Sequence, residues 1–107
     1  MFSLENLRQV SQNDETLLQL LIETMAESLP QELDKLKEAI ENTDPEWTKQ
    51  ILHKIKPSIS YLGDQDLIDK RAELHDTARD GFLNVEQLTM FVTQVRETLQ
   101  QFLEEYG

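Results

Sequence analysis

Residues 14–41 read DETLLQLLIETMAESLPQELDKLKEAIE, and the spacing within them decides the fold. Leu18, Ile22, Met25, Leu29, Leu33, Leu36 and Ile40 recur at steps of 4, 3, 4, 4, 3 and 4. At 100° per residue those steps gather the apolar side chains on one face of a helix. Pro30 falls in the middle, and the phase survives it. A helix that stopped at Pro30 would have no reason to keep register afterwards. The stretch therefore predicts one long helix, starting near Asn13 or Asp14. A kink is expected where Pro30 has no N–H for the Ala26 carbonyl. Two helices joined tightly at Pro30 is the alternative.

The same reading works outward. Residues 3–10 predict a short first helix, with Ser3 as N-cap and Leu4, Leu7 and Val10 turned inward. Asn42-Thr43-Asp44-Pro45 is a boundary, with Asp44 suited to an N-cap and Pro45 to the first helical position. A third helix runs from there through His53 to Gly63, a natural C-terminal glycine. Asp64 caps a fourth helix over residues 65–79, with Leu67, Ile68, Leu74 and Ala78 inward and Gly81 closing it. Asn84 caps the last. Its apolar set of Val85, Leu88, Val92, Val95, Leu99, Phe102 and Tyr106 steps by 3, 4, 3, 4, 3 and 4, a bundle seam. No strand alternation or repeat interrupts this pattern. The expectation is an all-α fold, an antiparallel four-helix bundle with a short extra N-terminal helix, in one domain spanning residues 1–107.

Composition narrows the function classes. Acidic residues outnumber basic ones 21 to 10, for a formal net charge of -11. Nucleic acid and anionic membranes are disfavoured partners, because their phosphates would meet a repulsive field. There is no cysteine, hence no disulfide framework and no thiol chemistry. No apolar run has the length of a membrane span, and residues 1–15 lack signal-peptide character. A cytoplasmic protein is expected.

Against this charge, one basic island stands out. Around residue 53 the chain reads His53-Lys54-Ile55-Lys56-Pro57-Ser58-Ile59-Ser60-Tyr61-Leu62-Gly63. With Ile51, Ile55, Ile59 and Leu62 at the centre of the buried stripe, His53 points roughly 150° away, into solvent. Lys49 and Lys56 share its face, while Lys54 points elsewhere as ordinary solvated charge. An exposed imidazole between two ammonium groups is a place where a phosphoryl group can be held on histidine.

The stretch His-x-Ile-Lys-x-Ser followed by Leu62-Gly63 resembles the histidine-containing phosphotransfer (HPt) domain of two-component phosphorelays. The family pattern is His-x-Leu-Lys-Gly-Ser/Ala with a hydrophobic-Gly pair closing the helix. His53 matches the phosphoacceptor, Lys56 the lysine and Ser58 the small residue. The helix order matches over essentially the whole chain. Pro57 stands where the family has glycine. Lacking an N–H for the His53 carbonyl, it predicts a local bend at the histidine or a carbonyl bonded to water.

The resemblance implies a phosphocarrier without kinase or phosphatase activity of its own. Its partners would be response-regulator receiver domains and a hybrid sensor kinase. No cofactor is implied, since magnesium and the acceptor aspartate would belong to the receiver. Lys56 and Lys49 would pair with phosphoryl oxygens. Some members place a polar side chain on the next helix to hydrogen-bond the active imidazole. Counted from the motif, that position is His75, which would fix the tautomer of His53; a boundary histidine at the helix margin is the plainer reading. By the same resemblance Leu4, Leu7 and Tyr61 are docking candidates as well as packing residues. A monomer is expected.

Four other readings compete. An HPt-like adaptor that binds signalling partners without chemistry fits the same residues, and Pro57 is what favours it. Asp76 to Gln87 resembles a calcium loop, but Ala78 and Gln87 occupy positions where ligands are needed. A helix end and a helix cap placed back to back explain the same residues. A diiron bundle wants Glu-x-x-His, and the residues three before the histidines are Gln50 and Ala72. A self-contained hydrolase lacks a nucleophile–base pair and a glycine-rich phosphate loop.

Overall fold

The computed structural model describes residues 3–107. Among these the secondary structure is helical, with no strand. The helices are α1 (Glu5–Val10), α2 (Glu15–Glu41), α3 (Pro45–Lys54), α4 (Lys56–Leu62), α5 (Gln65–Arg79) and α6 (Val85–Tyr106). The Cα radius of gyration is 13.8 Å, close to the ~13 Å expected of a compact chain of this length. No helix of the described residues is long and apolar enough to cross a membrane.

Side chains at the expected positions start the helices. Asp14 accepts from the N–H groups of Thr16 (2.9 Å) and Leu17 (3.1 Å). Asp44 accepts from Trp47 at 3.0 Å, Asp64 from Asp66 at 3.0 Å, and Asn84 from Gln87 at 3.1 Å. Each such cap contributes about 1 kcal/mol by satisfying a donor that the helix itself leaves open. At α1 the cap position is Leu4, which makes no side-chain cap. Ser3 still accepts from the Glu5 N–H at 3.1 Å.

α2 runs unbroken for 27 residues through Pro30. All seven side chains of its apolar stripe are buried, joined by Ala39. It ends without glycine. The Thr43 N–H bonds to the Ile40 carbonyl and the Asp44 N–H to the Ala39 carbonyl, both at 3.0 Å. This closing pattern puts Thr43 at φ 52°, a left-handed conformation unusual for a β-branched residue.

The expected third helix is two helices. It is interrupted at Ile55, whose ψ of 0° departs from helical geometry. Pro57, two residues on, is the cause: it has no N–H for the His53 carbonyl, and its ring crowds the preceding turn. Ile51, Ile55, Ile59 and Leu62 are nevertheless all buried, as is Leu52. The interruption therefore leaves the inward stripe intact.

The buried side chains form one contiguous cluster drawn from every helix. α3 packs most extensively on α5, and α2 lies against both α3 and α6. Two expected inward positions are exposed: Val10 at 51% and Val85 at 48%. Each lies at an end of its helix, Val10 as the last residue of α1 and Val85 as the first of α6. Phe91 is fully buried although the steps of 3 and 4 skip it. α6 packs on α2, α5 and α4, so its buried stripe is wider than a two-position seam, and Phe91 fills the extra width.

α1 closes the end of the molecule that α4 opens. The Ser3 N–H bonds to the Leu62 carbonyl at 3.2 Å, and the Asn6 amide to the Ser60 carbonyl at 2.9 Å. Gly63 makes this approach possible, with φ at 72° and no side chain facing Ser3. A Cβ there would collide with the Ser3 backbone. Gly63→Ala should cost at least about 2 kcal/mol, from the left-handed backbone and the displaced N-terminus together. Urea unfolding of the variant beside wild type measures it.

Candidate functional site

His53 lies in the last turn of α3, on the face opposite Ile51, Leu52 and Ile55, and it is exposed. The backbone beneath it bends at Ile55. Across the bend the Ile55 N–H bonds to the Ile51 carbonyl and the Ile59 N–H to the Ile55 carbonyl, each at 3.0 Å. The neighbouring Leu52 carbonyl receives something else. Arg71, on α5 and only 8% exposed, donates to it from Nη1 at 3.1 Å. Burial pulls the Arg71 pKa below its ordinary value, partly offset by Asp76. A guanidinium remains protonated all the same. An interior arginine thus braces the turn that carries the histidine.

One turn further along α5 is His75, half-buried. Its ring centroid is 6.1 Å from that of His53, with the planes 43° apart. Directly bonded imidazoles would sit at roughly 5 Å, from a hydrogen bond of ~2.9 Å plus the two ring radii. The two rings are not directly bonded, and a gap of this size is one that a single water can bridge. His75 Nδ1 is 3.1 Å from Asp76 Oδ1. Arg79 Nη1 approaches the same oxygen at 3.6 Å. The hydrogen bond from His75 is the main influence on the Asp76 carboxyl, whose pKa is lowered, with Arg79 and Arg71 acting in the same direction.

The lysines of the motif differ in their company. Lys49 pairs with Glu46 at 3.1 Å, and this bond holds the Glu46 carboxyl below its usual range. Lys54, expected to be plain solvated charge, pairs with Glu32 across to α2 at 2.9 Å. Burial works to raise the Glu32 pKa, but Lys54 and Lys35 together outweigh it and the net shift is downward. Lys56 is exposed and, among the described residues, carries no ion pair. It is the cation of the three whose charge is uncommitted.

The structure thus brings His53 and His75 together, leaves Lys56 open and engages Lys49 with a carboxylate. Of the docking candidates, Leu7 is fully buried and is core. Leu4 and Tyr61 are half-buried against that core. Arg71 and Asp76 escaped the sequence reading. Arg71 stands four residues before His75, so the spacing that puts both on one helix face was present in the chain. Its charge argued for the surface instead. Among the described residues no group of three or more His, Asp or Glu side chains is placed to hold a metal ion.

Arg71→Met keeps the side chain's apolar bulk and removes its donor. The variant should lose about 2 kcal/mol of stability, the contribution of a buried hydrogen bond from a charged group. Denaturant unfolding measures the loss. Compared with protein-family models, curated proteins and solved structures, the chain matches none.

Proposed function

We propose that this chain is a phosphorelay carrier of the HPt kind. In this reading His53 accepts a phosphoryl group from a receiver-domain aspartate and passes it to another receiver. The observation that carries the reading is the setting of His53: exposed on its helix, near a second imidazole, with Lys56 unpaired in the next turn. The same reading makes the fold an antiparallel four-helix bundle of α2, α3 with α4, α5 and α6, with α1 as the extra helix. The packing of α2 on α3, α3 on α5, α5 on α6 and α6 on α2 supports a closed ring of that kind.

The chemistry asks little of the protein beyond position and charge. A neutral imidazole nitrogen attacks the phosphorus of the aspartyl phosphate. The N–P bond forms, the P–O bond to the aspartate breaks, and its electron pair leaves with the carboxylate. Transfer onward reverses these roles on the next receiver. Exposure of His53 is required, because the donor sits in another protein's pocket. Lys56 can meet the phosphoryl oxygens without first breaking an ion pair, whereas Lys49 must leave Glu46 to do so. Magnesium and the acceptor carboxylate belong to the receiver in this scheme. The chain then needs no kinase or phosphatase activity of its own.

The adaptor reading shares the surface but has no use for a reactive histidine. Phosphoramidate, a small-molecule donor to histidine, separates the two. Intact mass after incubation should show one acid-labile phosphoryl group on wild type and none on His53→Gln. Lys56→Ala should label about tenfold more slowly, the low end for a lost charge-assisted hydrogen bond at an exposed site. A folded wild type that takes no phosphoryl group, or a His53→Gln variant that labels equally, would favour the adaptor.

A further inference from the structure

Behind His53 stands a chain of side chains that reaches past His75. Asp76 Oδ1 lies 3.1 Å from His75 Nδ1, and the His75 ring lies 6.1 Å, centroid to centroid, from the His53 ring. The carboxyl of Asp76 is exposed, with Arg79 against it. An ionised carboxylate only accepts hydrogen bonds. The proton of this contact therefore belongs to His75 Nδ1. In the neutral ring one nitrogen donates and the other accepts. With Nδ1 donating to Asp76, Nε2 is the ring atom of His75 that can accept.

We propose that Asp76 is a positioning residue for His53, acting through His75. By holding the Nδ1–H of His75, it leaves Nε2 to accept the imidazole N–H of His53 through one water. That contact assigns the proton of His53 to the nitrogen facing His75. The other nitrogen keeps its lone pair on the solvent side, where a phosphoryl donor arrives. During transfer the new bond forms at that lone pair. The N–H proton stays on His53 throughout, held against His75 Nε2.

This inference rests on the phosphocarrier reading for its purpose but not for its test. The lowered pKa of Asp76 agrees with it, since the hydrogen bond from His75 favours the ionised carboxylate. Arg79 holds the same carboxylate oxygen and supports its orientation. The arrangement has the form of the carboxylate–histidine pairs that orient metal-bound imidazoles, here turned on a second histidine in place of a metal.

The test reads the ring nitrogens of both histidines by 15N NMR at about pH 8, above the usual histidine range. Wild type should show His75 protonated at Nδ1 and His53 in a single dominant tautomer. Asp76→Ala removes an exposed side chain and leaves the core untouched. It should release His75 into a mixture of tautomers and move the His53 nitrogens with it. His75→Ala should move the His53 nitrogens in the same direction. Asp80→Ala removes a neighbouring negative charge and serves as the control, with no change expected at His53. Labelling by phosphoramidate should slow about tenfold in Asp76→Ala, the low end for a residue that orients a reacting group. His53 nitrogens that stay put in Asp76→Ala would overturn the proposal, as would an equal movement in Asp80→Ala. A wild type that takes no phosphoryl group would overturn the phosphocarrier reading instead. The nitrogen spectra would still decide the role of Asp76.

Discussion

The missing N–H of Pro57 is the constraint around which this structure is arranged. Removing one donor from the middle of an amphipathic helix should weaken it and let its two halves diverge. Here the chain turns at Ile55 and keeps its buried stripe, so Ile51, Ile55 and Ile59 all stay in the core. The Leu52 carbonyl beside the break receives Arg71 from α5. The bond lies beside the break and joins the interrupted helix to α5. It ties α3 to α5, the two helices that carry His53 and His75.

An arginine in this position serves two purposes at once. Its side chain fills interior space with methylene groups, and its guanidinium satisfies a backbone acceptor that no neighbouring amide serves. It also leaves a positive charge beneath a histidine face in a protein of net charge -11. With Glu46 and Glu32 engaging Lys49 and Lys54, Lys56 is the lysine of the motif whose charge is uncommitted. Among the described residues Lys56 is thus an exposed, unpaired cation on a chain of strongly negative net charge. Such contrast favours one orientation of approach over a diffuse attraction.

Most of the helices were legible because their signals are local. Asp14, Asp44, Asp64 and Asn84 are caps whose effect ends within one turn, and each acts where the residue type suggested. The stripe of α2 was legible because its period continues through Pro30. The interruption at Ile55 was half legible: Pro57 announced a bend near His53, but the extent of the break depends on what the freed carbonyls find. That is a tertiary matter, and Arg71 answers it from another helix. Asp76 was hidden for a different reason. In the sequence it resembles the first position of a calcium loop, and its contact with the adjacent His75 follows from rotamers that no spacing rule specifies. Val10 and Val85 were misplaced because a periodic pattern does not say where the facing helix ends.

The central point is where a phosphoryl group is carried. Two histidines lie close together, His53 exposed and His75 half-buried. The most direct measurement incubates the folded chain with receiver domains phosphorylated on aspartate. The phosphoryl group is then located by fragmentation mass spectrometry under non-acidic conditions. The expected result is phosphate on His53 from at least one receiver, with none on His75. Phosphate on His75 in its place, or none on the folded chain from any receiver tried, would contradict it.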